Sequence, residues 1–136
     1  MFNRIVKAKK ESKGVVLSDG KRFNGKSRFT DSLAIKFKIH FAKAICDSKH
    51  DLKGLYKRSL AIFHQHYSTN KQPMHDWCDG RCCKYIQATT TGEEYNHNSR
   101  SIIPRVCLDL VRPVFDELCC VNNLIRGCEW RLAQRQ

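Results

Sequence analysis

Three of the six histidines and three of the eight cysteines fall within residues 64–85. In this segment His75 and Cys78 are separated by two residues, and Cys83 follows five positions later. Imidazole nitrogen and thiolate sulfur are ligands that Zn²⁺ prefers, and a His-x2-Cys pair followed by a further Cys can wrap around one ion. The spacing therefore predicts a zinc site that includes His75, Cys78 and Cys83.

A tetrahedral zinc site needs a fourth ligand beyond these three residues. We expect His66 to supply it, because His66 ends the predicted helix that leads into the segment. The alternatives for this position are His64, His97 and Cys128. Cys82 is in turn an alternative to Cys83, since two adjacent cysteines cannot both reach one ion without strain.

The same cysteines have two other interpretations. They can be small buried thiols that lie beside surface histidines. Cys78 and Cys83 can also form a disulfide, which persists only in an oxidising compartment. The chain opens with alternating apolar and basic residues rather than with a secretory leader, so we expect a reducing compartment and favour the zinc site.

A catalytic constellation is not visible in the sequence. Metal-dependent nucleases and transposases need two or three carboxylates that converge on divalent cations, whereas the 13 acidic residues here are scattered. A cysteine nucleophile with His75 as its base would have the same spacing as the zinc site. No glycine-rich loop matches a nucleotide-binding pattern. We therefore expect no enzymatic activity from this chain.

Positive charge is concentrated in the first half of the chain. Residues 1–60 contain 16 basic and 5 acidic residues, whereas residues 61–136 contain 9 and 8. Such an excess attracts polyanions, because each Lys or Arg placed against a phosphate releases a counterion. The residues expected to contact DNA phosphates without sequence preference are Lys7, Lys9, Lys10, Lys13, Lys21, Arg22, Lys26 and Arg28. A solvated basic face that keeps the domain soluble is the alternative.

A small helical fold must position these residues. The 136 residues suffice for one domain, and no apolar run is long enough to span a membrane. Apolar residues recur with helical spacing after Thr30, over residues 52–63, after Pro104 and over residues 119–128. We predict an all-α domain of about four helices in which residues 73–85 form an irregular zinc-knuckle loop. The helix after Pro104 is expected to bury Cys107, Leu110, Val111, Val114 and Leu118.

The predicted boundaries follow composition. Residues 1–30 are expected to be a basic, irregular arm rich in turn signals, with a short hairpin around Lys21 as the alternative. Residues 31–130 form the helical Cys/His domain, in which Ser48 and Asp51 make a capping box and residues 86–100 make a loop. Residues 131–136 are expected to be a loose tail.

Three stretches of the chain resemble the Mutator-like transposases of animal genomes. Residues 13–31 are similar to the family pattern K-G-x-x-L-x-D-G-K-x-x-x-G-K-x-R-L-T-D. Residues 66–85 are similar to its His-x-Ser-Thr, Pro-x-His-x-x-Cys-Pro and Ser-Trp-Cys-x-Tyr segments, in that order, with Asp79 in place of the second Pro and Arg81-Cys82 in place of Ser-Trp. Residues 95–128 follow the family's closing helices. The resemblance extends over residues 4–128.

In that family an RNase H-like core carries a carboxylate triad, and a helical insertion lies between the second and third acids. The resemblance implies that this chain is such an insertion, that it lacks the triad and that it acts in the nucleus. Glu129 is out of register with the family's third acid, so it receives no catalytic role.

The function that we expect is therefore a non-catalytic, zinc-stabilised domain that contacts DNA and supports the catalytic core of a transposase or another protein. One alternative is a domesticated or relic transposon-derived protein used for protein–protein interaction. Another is an active nuclease or transposase subunit that a second chain completes.

Overall fold

A computed structural model describes residues 2–99 and 103–133 of the chain. Within these ranges the chain forms six α-helices and no β-strand. The helices are α1 (Phe2–Glu11), α2 (Asp31–Asp47), α3 (Leu52–His64), α4 (Lys84–Thr91), α5 (Arg105–Leu118) and α6 (Val121–Ala133). Short 3-10 turns lie at Gln65–Tyr67 and His97–Ser99. The predicted all-α class is confirmed, with six helices rather than four.

Side-chain caps set where α2 and α3 begin. Thr30 Oγ1 accepts a hydrogen bond from the backbone N–H of Leu33 at 3.2 Å and so caps α2. Asp51 Oδ1 accepts from Gly54 N at 2.8 Å, so Asp51 alone is the N-cap of α3. The predicted capping box beginning at Ser48 is wrong, because Ser48 ends α2.

The core is built on aromatic rings from three helices. Phe63 of α3 stacks on Phe115 of α5 with ring centroids 4.3 Å apart, and Phe37 of α2 meets Phe115 edge-on at 4.9 Å. All three rings are buried. The series continues into the amino-terminal loop, where Phe29 stacks on Phe37 and Phe23 stacks on Phe29. These five rings join the loop before α2 to the centre of the helical bundle.

The first thirty residues are more ordered than the sequence predicted. Residues 2–11 form α1, whose Ile5 is buried in the common core, so the prediction of an irregular segment is wrong there. The loop after α1 contains one isolated antiparallel bridge, between Val16 and Arg22, where the short hairpin was an alternative. At the other end of the chain, α6 includes residues 131–133, and residues 134–136 of the predicted tail lie outside the described residues.

Two other expectations are corrected along the second half of the chain. Residues 84–91 form α4, which begins within the predicted zinc-knuckle loop of residues 73–85 and continues into residues 86–100, also expected to be a loop. Gly92 ends this helix in the left-handed conformation with φ of +76°. In α5 the buried face contains Leu108 and Phe115 together with Cys107 and Val111, whereas the predicted core residue Leu110 is exposed. None of the helices in the described ranges has the length and apolar composition that crossing a bilayer requires.

Candidate metal centre

His75, Cys78 and Cys83 lie together in the loop between the first 3-10 turn and α4. His75 Nδ1 is 3.4 Å from Cys78 Sγ and 3.4 Å from Cys83 Sγ. The three donor atoms all lie within 4.8 Å of one another, so the group can hold a metal ion. Residues 73–83 contain no helix or strand, which agrees with the irregular loop predicted from sequence.

Backbone turns bring the two cysteines towards His75. Cys78 N donates to His75 O at 3.0 Å, which folds the His-x2-Cys pair into a single turn. Cys83 N donates to Asp79 O at 2.9 Å, and Asp79 Oδ1 accepts from Arg81 N at 2.9 Å. The Arg81 guanidinium also binds the carboxylate and lowers the pKa of Asp79 to about 2. Asp79 therefore closes the turn that carries Cys83.

The imidazole of His75 is enclosed by aromatic side chains. Its ring stacks on Tyr85 of α4 at a centroid distance of 4.3 Å, and His97 lies 5.3 Å from it. Tyr95 meets both Tyr85 and His97 edge-on. His75 is buried, and no other residue from position 68 to position 83 is buried to that degree. No spacing or periodicity in the sequence indicates this packing role for Tyr85 and Tyr95.

A chain of hydrogen bonds fixes which nitrogen of His75 carries the proton. Asn70 Oδ1 accepts from the backbone N–H of His97 at 2.7 Å, so that atom is an acceptor, and it lies 3.1 Å from His97 Nδ1. His97 Nδ1 therefore donates, and in the neutral ring His97 Nε2 accepts. His75 Nε2, 3.0 Å from His97 Nε2, must then be the donor of that pair. The lone pair of His75 Nδ1 is left directed at the two sulfurs, in the state that a metal ligand requires.

Substitution of Asn70 tests this hydrogen-bonded chain. We expect Asn70→Ala to weaken zinc binding by about 10- to 100-fold, because partners that orient a ligating histidine have effects of this size. Asn70→Asp keeps the acceptor oxygen and should retain most of the affinity. Competition with a chromophoric chelator measures the effect, and Asn122→Ala, an exposed change in α6, is the control. Equal affinities for Asn70→Ala and the unaltered chain would contradict the assigned role.

The other predicted ligands lie elsewhere. His66 is outside the three-residue group, and its ring meets Phe37 edge-on at a centroid distance of 5.1 Å. His64, the alternative, contacts Phe63 and Tyr67, and burial lowers its pKa. His97 contacts His75 from the side opposite the sulfurs. Cys128 packs against the hydrophobic core.

The cysteines divide into ligand candidates and packing residues. All eight are free thiols, so Cys78 and Cys83 do not form a disulfide. Of the adjacent pair, Cys83 faces His75, whereas Cys82 is exposed with its sulfur 3.6 Å from the carbonyl oxygen of Asp79. Cys107 is buried in the core, as expected, and burial raises the pKa of its thiol.

Five of the eight predicted phosphate contacts are exposed and form no ion pair with the acidic residues of the described chain. They are Lys10, Lys13, Lys21, Arg22 and Lys26, which we call the cationic segment. Arg28 is buried and its guanidinium is paired with Asp19, so the prediction that it contacts phosphate is corrected. Lys9 is paired with Asp31, and Lys7 lies 3.7 Å from Glu11.

Comparison with protein-family models, curated proteins and solved structures gives no significant match for this chain.

Proposed function

We propose that this chain is a zinc-stabilised helical domain that contacts nucleic-acid phosphates and makes no catalytic contribution of its own. The resemblance to the helical insertion of Mutator-like transposases supports this proposal. In that context the domain acts in the nucleus, beside the catalytic core of a transposase or another protein. The metal centre and the cationic segment support its two parts separately.

Zinc suits the donor set at the metal centre. Two thiolates and one imidazole are soft and borderline ligands, which select zinc over magnesium or calcium. Bond lengths of about 2.1 Å to nitrogen and 2.3 Å to sulfur place tetrahedral ligands about 3.6 Å apart. The two nitrogen–sulfur distances of 3.4 Å are close to that separation. A small adjustment of the loop therefore accommodates the ion.

The ion has a structural task in this loop. Between residues 68 and 83 the one buried side chain is that of His75, which is polar, so hydrophobic burial contributes little to the folding of the segment. A bound ion connects the two ends of the Cys-containing turn to that imidazole. This matches the behaviour of small metal domains in which metal binding supplies the free energy of folding.

The cationic segment is the observation that carries the nucleic-acid contact. Its five side chains are exposed, and three of them, Lys21, Arg22 and Lys26, lie in the loop whose Phe23 and Phe29 are buried in the core. The buried Arg28 pairs with the more exposed Asp19 in the same loop, and the Arg28 side chain lowers the pKa of the Asp19 carboxyl. Exposed Lys and Arg side chains on an anchored loop are suited to phosphate contacts, which position a protein on DNA but do not read its base sequence.

Salt dependence of binding to duplex DNA tests the proposal. If five phosphates are neutralised, the logarithm of the association constant should fall with the logarithm of salt concentration with a slope of about −4.5. Affinity should then drop roughly 500-fold between about 50 and 200 mM salt. Fluorescence anisotropy with two duplexes of unrelated sequence measures this, and both should bind equally. Failure to bind at the lower salt concentration, or binding that ignores salt, rejects the proposed function.

A further inference from the structure

Both sulfurs of the metal centre border an open cleft. Cys78 and Cys83 line a cleft of about 780 Å³ whose far wall is formed by α2 and α3. His75 does not line this cleft, because it lies behind the cysteines against Tyr85 and His97. An ion held by the three donors therefore has protein on its histidine side and the cleft on its sulfur side.

The described structure offers three donors to such an ion. Every Cys, His, Asp and Glu of the chain lies in residues 2–99 and 103–133, and in those ranges the metal-binding group contains His75, Cys78 and Cys83 alone. Four further potential ligands line the cleft, His40, Asp47, Asp79 and Cys82, and none of them belongs to the three-residue group. Two of them lie in the same loop as the group and have other contacts. The Asp79 carboxylate binds the Arg81 guanidinium, and Cys82 Sγ lies against the carbonyl oxygen of Asp79.

The walls of the cleft favour a negatively charged occupant. Lys43 of α2, Arg58 of α3 and Arg81 of the loop line it, against the two carboxylates of Asp47 and Asp79. A divalent ion bound by two thiolates adds no net charge, so the cleft keeps an excess of one positive charge. Zinc sites with three protein ligands and access to solvent bind an exogenous ligand in the fourth position.

We propose that the metal centre has an exchangeable fourth coordination position on its cleft side and that this position binds a small anion. The inference rests on the metal site of the proposed function but extends it, since a purely structural site would be closed by four protein ligands. Exchange replaces bound water by the anion and involves no redox change.

Cobalt substitution with azide as the probe tests this inference. Co²⁺ bound by Cys78 and Cys83 gives a thiolate-to-cobalt charge-transfer band, which reports the metal site independently of the fourth ligand. Azide should then change the visible ligand-field bands in a saturable manner while the charge-transfer band persists. Lys43→Ala should weaken azide binding about two- to fivefold, the range of an exposed charge interaction. Lys53→Ala, which alters an exposed lysine outside the cleft, should not.

Two results would overturn the inference, and they are distinguishable. If the charge-transfer band is present and azide leaves the visible bands unchanged, a protein side chain fills the fourth position. The spectra of Cys82→Ser and Asp79→Asn then show which residue it is. If no charge-transfer band develops, the three residues do not bind the metal, and the proposed zinc site fails together with the inference.

Discussion

Cys83→Ser is expected to abolish stoichiometric zinc binding and to unfold the loop from residue 68 to residue 83, whereas Cys82→Ser leaves both unchanged. Cys83 Sγ lies 3.4 Å from His75 Nδ1, while its neighbour Cys82 is exposed and lies outside the three-donor group. Structural zinc contributes an apparent free energy of about 10–16 kcal/mol at neutral pH in small domains. Removing one of three protein ligands should therefore release the ion.

Metal analysis and hydrogen exchange measure this prediction together. Amides of the loop should lose protection in Cys83→Ser, while those of α2 and α5 remain protected because the rings of Phe37 and Phe115 pack without the loop. Cys82→Ser is the matched control, since it removes a thiol from the adjacent position. A Cys83→Ser protein that keeps one zinc per chain, or a loop that stays protected after chelation, contradicts a structural ion at this site.

Neutralising the cationic segment should have the second large effect. Replacing Lys10, Lys13, Lys21, Arg22 and Lys26 together by Gln is expected to reduce the salt slope of DNA binding by about one for each phosphate that is no longer neutralised. At low salt the affinity should fall by more than about a hundredfold, because this electrostatic term supplies non-specific binding. The fold should be unaffected, since all five side chains are exposed.

A second variant controls for net charge. It replaces five exposed cations from other parts of the molecule by Gln: Lys53, Lys57, Lys71, Lys84 and Arg126. Both variants change the formal charge equally, so a difference between them reports position rather than total charge. Anisotropy titrations over a range of salt concentrations measure both slopes. Equal reductions in affinity for the two variants would show that binding depends on the overall field and not on the cationic segment.

Helical periodicity predicted the helices that bury a continuous face. Phe37 and Phe41 in α2, and Val111 in α5, are buried at helical spacing, which makes such elements visible in a sequence. The two helices that were not predicted, α1 and α4, lack this signal. Among its described side chains α1 fully buries Ile5, and α4 buries none. Their positions depend on contacts with residues distant in sequence, since α1 packs against α5 and α2, and α4 contacts His75 through Tyr85.

The metal-binding group was predictable because its three residues are close in sequence. His75, Cys78 and Cys83 are brought together by turns of three to five residues, which spacing alone can indicate. The bond from His97 to Asn70 joins residues 27 positions apart, and periodicity carries no information on such pairs. The end of a predicted helix at His66 indicated this residue as the fourth ligand. A 3-10 turn over Gln65–Tyr67 instead leaves its ring against Phe37.

Several residues of the motif over residues 13–31 have structural roles in this fold. Gly20 has a φ of +76°, a conformation that disfavours side chains, in the turn before Lys21. Asp19 and Arg28 pair within the same loop, and Thr30 caps α2. The pattern over residues 13–31 therefore describes a loop of defined shape as well as a basic one.

The stacked rings that lead from Phe23 through Phe29 to Phe37 have a consequence for association. Because the loop backbone is already held, docking onto a phosphate backbone need not pay for ordering it, as a disordered basic tail must. Association should therefore be nearly rigid-body, with the heat capacity change of a small polar interface rather than of coupled folding. Phe29→Ala would leave a cavity beneath this loop without changing any exposed charge. It should therefore weaken the binding of DNA, because the backbone that carries the basic side chains becomes more mobile.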